Sequence, residues 1–503
     1  MTELRDYQHT AIRDLRRSIS SGHRSPVLVA PTGSGKTAIA GEMIRSAREK
    51  CYQVLFLAPR RELVYQVQGR LGSLGLEYGT IMAGEDPSLM PGIQVASIDT
   101  LHARAVRRDK IPLPRAGLVI VDESHIFGEK AASIIRHYQD SGSIVVGLTA
   151  TPAKASGVGL GMLYDDMVMG PSVSDLTSMG YLVPARYFSG TAPDMDGVQI
   201  RAGDWAVEET AQRAGEPELI GQVIDNWKRI AGDKQTFVYA VNVAHSKHLA
   251  EAFERAGVSV EQLDGDTEHE IRRGIMSRLW EGITQVVVNV DVYTYGVDYP
   301  PVECIVLARP TKSITRYLQA VGRGLRTYEG KDSLMVLDHG RCIETCGFAD
   351  DEQPWSLSGK EKIQERKAEK KTPEPIECYQ CGETFRPAPE CPSCGADMHK
   401  KSKKAIREHE AELEEIERRN TKKAGREWSQ DDKGQFLSEL LGYAQSKGYK
   451  RGWAVHAYQE RLGVLPWPVW PQAPKEPGED TRRWIQHRNI RNAKRREKEN
   501  ATA

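Results

Sequence analysis

The chain has 503 residues, more than a single hydrophobic core organises, so two to four domains are expected. Lys plus Arg and Asp plus Glu stand at 69 each, so the overall charge argues for no polyanionic partner and any such signal must be local. The N-terminus has no apolar signal-peptide core and no apolar run approaches membrane-spanning length. Four of the eight cysteines form two CxxC pairs, which suggests metal in a reducing compartment and a cytoplasmic protein.

In chain order, Arg5-Asp6-Tyr7-Gln8 precedes a helical pattern. A Gln amide offers paired donor and acceptor groups that suit adenine, and a capped surface helix is the other reading. Next, the apolar run ending at Val29-Ala30 feeds Pro31-Thr32-Gly33-Ser34-Gly35-Lys36-Thr37 and then a helical pattern, the setting of a P-loop. Gly33 and Gly35 let the backbone curl so that successive N–H groups and a helix N-terminus face one anion. Lys36 can reach the β- and γ-phosphates, and the Thr37 hydroxyl can ligate Mg²⁺. The usual first glycine of the pattern is Ala30 here.

Residues 26–151 alternate short apolar runs with helical patterns, which predicts a parallel α/β sheet over Pro26–Ala30, Val54–Ala58, Ile93–Ile98, Leu118–Asp122 and Ile144–Leu148. Ligands of such sheets sit beyond the carboxyl ends of the strands, where the polar residues cluster. Asp122-Glu123-Ser124-His125 follows the fourth run. Asp122 there is assigned to Mg²⁺ and Glu123 to the base that polarises the attacking water.

Arg5–Gln8, Ala30–Thr37, Ala58-Pro59-Arg60-Arg61-Glu62-Leu63, Asp122–His125 and Leu148-Thr149-Ala150-Thr151-Pro152 resemble, in order, the motifs of superfamily-two helicases, on the DEAH/DExH side. The Ala30 form of the loop occurs often among such ATPases. The resemblance implies two tandem RecA-like lobes, with ATP in the cleft between them and a nucleic-acid strand across both. It implies nucleotide contacts from Arg5, Gln8 and the loop residues Thr32–Thr37, and strand contacts from Pro59, Arg60 and Thr100. His125, Thr149 and Thr151 would couple the two sites.

Residues 153–215 lack periodicity, with 155–181 read as a connector. A second α/β alternation follows over Thr236–Val241, Val258–Leu263, Gln285–Val290, Cys304–Ala308 and Ser333–Leu337, without a second P-loop. In Gln319-Ala320-Val321-Gly322-Arg323-Gly324-Leu325-Arg326 two arginines three apart are expected on one helical face, pointing across a cleft as arginine fingers. The resemblance extends to Gln319 as a nucleotide contact, to Gly296 and Asp298 as residues linking ribose, strand and finger, and to Gly265 as a phosphate contact of the strand.

Residues 351–377 read as a charged linker. Cys378-Tyr379-Gln380-Cys381-Gly382 and Cys391-Pro392-Ser393-Cys394-Gly395 are two knuckles that supply four thiolates for a structural zinc ribbon, with a redox dithiol as the competing reading of either pair alone. Cys342 and Cys346, spaced CxxxC, read as ordinary thiols, with a second metal role as the other reading. Residues 399–427 suggest an exposed charged helix, and 428–503 a Trp/Tyr-rich helical module with a basic tail. Lys447-Gly448-Tyr449-Lys450-Arg451-Gly452-Trp453 interleaves cations and aromatics, which suits either a single-strand surface or a small helical core. A helicase core followed by a cysteine ribbon is similar to RadD-like bacterial and phage helicases.

The expected domains are therefore a first lobe over 1–180, a second over 181–350, the ribbon over 378–398 and the C-terminal region. The expected function is an ATP-dependent helicase or translocase, on DNA by similarity, with ATP, Mg²⁺ and structural zinc as cofactors and a protein partner conceivable through the ribbon or C-terminal module. An RNA-dependent ATPase is the rival enzyme. A binding protein with a vestigial ATPase core is the rival from another class, and it predicts broken catalytic positions that this sequence does not have.

Overall fold

The computed structural model describes residues 4–153, 158–292, 299–358, 374–398, 429–462, 464–466, 473–482, 484–486 and 488–489. Gly296 and Asp298, the charged stretch 399–427 and most of the basic tail lie outside the described residues. The chain divides into two units, Met1–Ile406 and Arg407–Ala503.

The first lobe is a seven-stranded, wholly parallel sheet. Its strands are β1 (Pro26–Val29), β2 (Val54–Ala58), β3 (Gly79–Ile81), β4 (Ile93–Ser97), β5 (Leu118–Val121), β6 (Ile144–Thr149) and β7 (Asp166–Met169), in the order β3-β4-β2-β5-β6-β1-β7. The strands β1, β2, β4 and β5 are buried at every position, as sheets covered by helices on both faces require. Two apolar clusters fill the two faces, one around Leu28, Ile39, Phe56 and Ile120, the other around Leu55, Val121, Ile134 and Tyr164. The order places β5, β6 and β1 side by side, so their carboxyl ends bring Asp122, Thr149 and the P-loop together.

The second lobe adds β8 (Ala185–Ser189), the two-residue strands β9 (Ile200–Arg201) and β10 (Asp204–Trp205), β11 (Thr236–Tyr239), β12 (Val260–Leu263), β13 (Val286–Asn289), β14 (Cys304–Leu307) and β15 (Leu334–Asp338). Strands β11 to β15 and β8 form a parallel sheet in the order β12-β13-β11-β14-β15-β8. Beneath it Trp227 is fully buried against Phe253 and donates its indole N–H to Thr236 Oγ1 at 2.8 Å, which satisfies the one polar atom of a large apolar ring.

The segment 155–181, expected as a connector, contributes β7 to the first sheet and the helix Val173–Ser178. The stretch expected as a charged linker is also partly structured. Its end forms β16 (Ile376–Glu377), which pairs antiparallel with β17 (Glu383–Phe385) of the ribbon, and β17 pairs antiparallel with β8. The ribbon thus extends the second lobe's sheet across what is otherwise an open edge. Earlier in the same stretch, Leu357 O accepts from Gly161 N of the first lobe at 2.9 Å.

The second unit contains the helices Gln430–Ser446 and Arg451–Leu462 around Phe436, Leu437, Leu440, Leu441, Ala457 and Tyr458. Ser429 caps the first helix and exchanges hydrogen bonds with Asp432 in a capping box. A small helical core is what forms here, and Tyr449 alone of its Lys447–Trp453 turn's aromatics stays outside that core, about half exposed. Among the described residues no helix is long and apolar enough to cross a membrane.

Candidate active site

The P-loop is positioned by register. Ala30 N bonds Thr149 O at 2.9 Å beyond the last β1–β6 pair, and the chain then turns through Gly33 (φ +88°) and Gly35 (φ +79°) into the helix Lys36–Glu49. Both glycines hold left-handed backbone that other residues rarely adopt. Lys36 Nζ donates to the carbonyls of Ala30 and Pro31 at 3.0 and 3.3 Å. Loss of solvent pushes its pKa down, against the pull of Glu123 and Asp122.

The mouth of the loop is closed by the chain's first residues. Gln8 Nε2 and Tyr7 OH both donate to Ser34 O, at 3.1 and 2.9 Å, and Gln8 Oε1 accepts from Arg5 N. Arg5 lies over the Tyr181 ring at 4.1 Å. Gln8 thus packs directly on the P-loop; a Cβ on Gly35 would sit 2.3 Å from its amide nitrogen. Neither Tyr7 nor Tyr181 stands out in the sequence as a site residue, because their roles depend on this packing between distant segments.

Asp122 and Glu123 follow β5, with Glu123 N donating to Asp122 Oδ1 at 2.9 Å. Burial, with Glu123 beside it, pushes Asp122 up to about 7. Glu123 adopts φ +44°, a strained value for a non-glycine residue, and its buried Oε2 lies 3.4 Å from His125 Nδ1 but makes no hydrogen bond among the described residues. A hydroxyl and a buried carboxylate, Thr37 and Asp122, are hard oxygen donors that fit Mg²⁺, and the orphaned Glu123 oxygen fits a water beside it.

From the second lobe, the helix Ile314–Gly324 starts at the Ser313 cap and buries Tyr317, Ala320 and Val321 in its own core. Its other face meets the first lobe. A Cβ on Gly322 would lie 2.8 Å from Thr32 Cβ, and Thr315 Oγ1 donates to Ala153 O at 3.2 Å. Arg323 occupies the last turn and is buried. Arg326 is not on the helix: the helix ends at Gly324, Leu325 caps it, and Arg326 pairs with Leu182 in an isolated bridge. The two arginines reach one cleft from a helix end and the segment after it, rather than from one helical face. Burial lowers Arg326 to about 10.

Lys36, Thr37, Asp122, Glu123, Arg323 and Arg326, with Arg5, Gln8 and Thr32, line a single cleft of about 480 Å³. Gln319 is not in that lining. Its Nε2 meets His125 Nε2 at 2.8 Å, across the lobes. Thr149 Oγ1 donates to Thr151 O at 2.7 Å and so accepts from His125 Nδ1, 3.0 Å away, which leaves Nε2 to accept from the Gln319 amide. Burial lowers His125 to about 4, so the ring is neutral, as this arrangement requires. The three residues expected to couple the sites therefore form one chain of hydrogen bonds that ends on Gln319.

Pro59 and Arg60 follow β2, Thr100 follows β4, and Gly265 follows β12, all at the carboxyl ends of their strands. Arg272 donates to the Gly265 carbonyl at 2.7 Å and pairs with Glu62 of the first lobe at 3.6 Å. That interlobe contact was not legible in the motifs.

Cys378, Cys381, Cys391 and Cys394 place their sulfurs within 4.8 Å of one another, the one such group of potential metal ligands among the described residues. Gly382 (φ +76°) and Gly395 (φ +70°) turn each knuckle, bonding back to the carbonyls of Cys378 and Cys391 at 2.9 Å. Four convergent sulfurs fit tetrahedral zinc. Cys342 and Cys346 are buried in the second lobe, apart from this group.

Comparison with known proteins agrees with this geometry. Residues 1–154 match the domain described as type III restriction enzyme, res subunit, and residues 217–328 the helicase conserved C-terminal domain. A 51.5 kDa protein of a Lactococcus phage (isolate 7-9) is 27% identical over 400 residues, covering 79% of this chain and 83% of that one. A Saccharomyces cerevisiae protein designated ATP-dependent helicase IRC3 is 28% identical over 354 residues, covering 67% of this chain and 51% of that one. This chain thus spans about half the length of the yeast relative. Among solved structures, an HsdR-subunit fragment of a type I restriction enzyme from Vibrio vulnificus YJ016 shares the fold, with a TM-score of 0.53 at 21% identity, over 68% of this chain and 66% of that one. With these two domains in this order around one inter-lobe cleft, the chain belongs to the superfamily-two helicases.

Proposed function

We propose that the chain is an ATP-dependent DNA helicase or translocase. One observation carries the reading: the P-loop lysine, the Asp122–Glu123 pair and two arginines of the opposite lobe share one cleft. ATP binds with its phosphates on the loop backbone and Lys36. Bound Mg²⁺, held by Thr37 and Asp122, supplies charge neutralisation for the triphosphate. Glu123 orients and deprotonates the attacking water through its open carboxylate oxygen. Arg323 and Arg326 stabilise charge on the transferred phosphoryl group, and they are in place only while the lobes are closed. The His125–Gln319 contact ties that closure to the Thr149–Thr151 segment, so hydrolysis and lobe movement proceed together. The strand lies over Pro59, Arg60 and Thr100 of one lobe and Gly265 of the other. Structural zinc on the four cysteines holds the ribbon against β8.

DNA is favoured over RNA because the matched N-terminal domain is described by a restriction enzyme subunit, and such enzymes act on DNA. Comparing ATP turnover with DNA and RNA oligomers of one sequence tests this. Stronger stimulation by DNA supports the reading, and stimulation by RNA alone overturns it. Displacement of a strand from forked, 3′-tailed and 5′-tailed duplexes then separates unwinding from translocation.

A further inference from the structure

The helix Arg61–Ser73 lines the cleft with Leu63, the last residue of its motif, and with Gln66 and Arg70, which lie beyond it. Their spacing of three and four residues places them on one helical face, turned towards the cleft. Arg70 crosses the P-loop helix at Gly41, where an added Cβ would lie 3.0 Å from Arg70 Cγ and 3.5 Å from its Nε. Glycine is disfavoured inside a helix relative to alanine. At this crossing it leaves the passage that the arginine stem occupies.

Gly41 follows Thr37 by four residues and Ala38 by three, and both of those line the cleft. Arg70 therefore reaches the same face of the P-loop helix about one turn, ~5.4 Å, beyond the residues that receive the phosphates. The cations already assigned to the terminal phosphates, Lys36, Arg323 and Arg326, cluster at the other end of this run. Arg70 Nε is buried, yet it has no hydrogen-bond partner among the described residues. A buried Nε without an acceptor is an uncommon arrangement, and on a side chain that lines the cleft the guanidinium offers charged donors to a phosphate oxygen there.

We infer that Arg70 binds the α-phosphate, the one nearest the nucleoside and present in both ATP and ADP, and so sets nucleotide affinity rather than the rate of hydrolysis. The inference rests on reading the cleft as the nucleoside-triphosphate site. Gly41 is the positioning residue that gives the side chain its path.

Steady-state kinetics on the full chain test this. Arg70→Ala should raise KM for ATP by about tenfold to a hundredfold, the usual cost of a lost charge-assisted hydrogen bond, and raise the inhibition constant of ADP by the same factor, with kcat held to within about twofold. Arg70→Lys should fall between, since a point charge keeps the attraction but loses the fork. Gly41→Ala should shift KM in the same direction by displacing the stem. Preference between ATP and GTP should not change. A loss of kcat at constant KM, an altered ATP-to-GTP preference or an unchanged ADP constant would each overturn the assignment, with circular dichroism confirming that each variant is folded. Lys36→Ala separates the levels: if it abolishes turnover while Arg70→Ala does nothing, only this inference fails, whereas full turnover in Lys36→Ala defeats the nucleotide site itself.

Discussion

Gln319 Nε2 lies 2.8 Å from His125 Nε2, so a side chain of the second lobe is bonded directly to the acidic-motif histidine of the first. His125 is neutral and its other nitrogen is engaged by Thr149, so the contact has one sense: the Gln319 amide donates. Removing that donor leaves a buried acceptor unpaired in the closed arrangement, at about 1–3 kcal/mol. Gln319→Ala should therefore reduce strand-stimulated turnover by roughly tenfold, with KM for ATP changing less than about threefold. A large rise in KM with stimulation intact would instead make Gln319 a nucleotide contact.

Lobe approach also depends on the absence of a side chain at Gly322, which faces Thr32 of the P-loop. Gly322→Val should lower stimulated turnover by more than about tenfold, because the arginine-bearing helix can no longer reach the loop. Gly221→Val is the matched control, since nothing lies within 4 Å of an added Cβ there. Equal loss in both variants would point to misfolding rather than to closure.

Two imidazoles away from the site set an acid limit on stability. Burial lowers His245 and His339 to about 4. In the unfolded chain each takes a proton near its ordinary value of about 6.5, while the folded chain excludes it, so the unfolded state binds more protons as pH falls. Stability should decline from about pH 6.5 towards pH 4, by about 1.4 kcal/mol per pH unit for each ring. Thermal melts at about pH 7 and pH 5 measure this, and a midpoint that does not fall would show that the rings are solvated.

The ribbon makes a prediction about the second lobe rather than about itself. Because β17 pairs with β8, stripping metal should speed hydrogen exchange in Ala185–Ser189 as well as in the knuckles. Purified protein should carry one zinc per chain, and Cys391→Ser should reproduce the exchange change. Protein without zinc, or exchange confined to residues 376–398, would contradict this.

The fold was legible wherever strands were long and buried: β1, β2, β4, β5, β6 and five strands of the second sheet show as apolar runs. Apart from the half-buried β12, shorter or half-buried strands were not. The strands β3 and β17 have three residues each, too few for a period; β7 is partly exposed within the stretch read as connector, and β8 is only partly buried within a stretch without periodicity. At the site, residues adjacent in sequence to a motif were readable, since local spacing fixes them. Arg326 was expected on the helix because its spacing from Arg323 is helical, but the chain leaves the helix after Gly324. Tyr181, Arg70 and the Glu62–Arg272 pair depend on which segments cross, and no local pattern encodes that.

The most direct test of the closed two-lobe site is steady-state ATP turnover with and without single-stranded DNA in the wild type and in Lys36→Ala. Wild-type turnover should rise with the strand, and Lys36→Ala should lose about 10²–10³-fold or more, the scale of a charge-stabilising group removed from a transition state. Turnover that persists unchanged in Lys36→Ala would contradict the account.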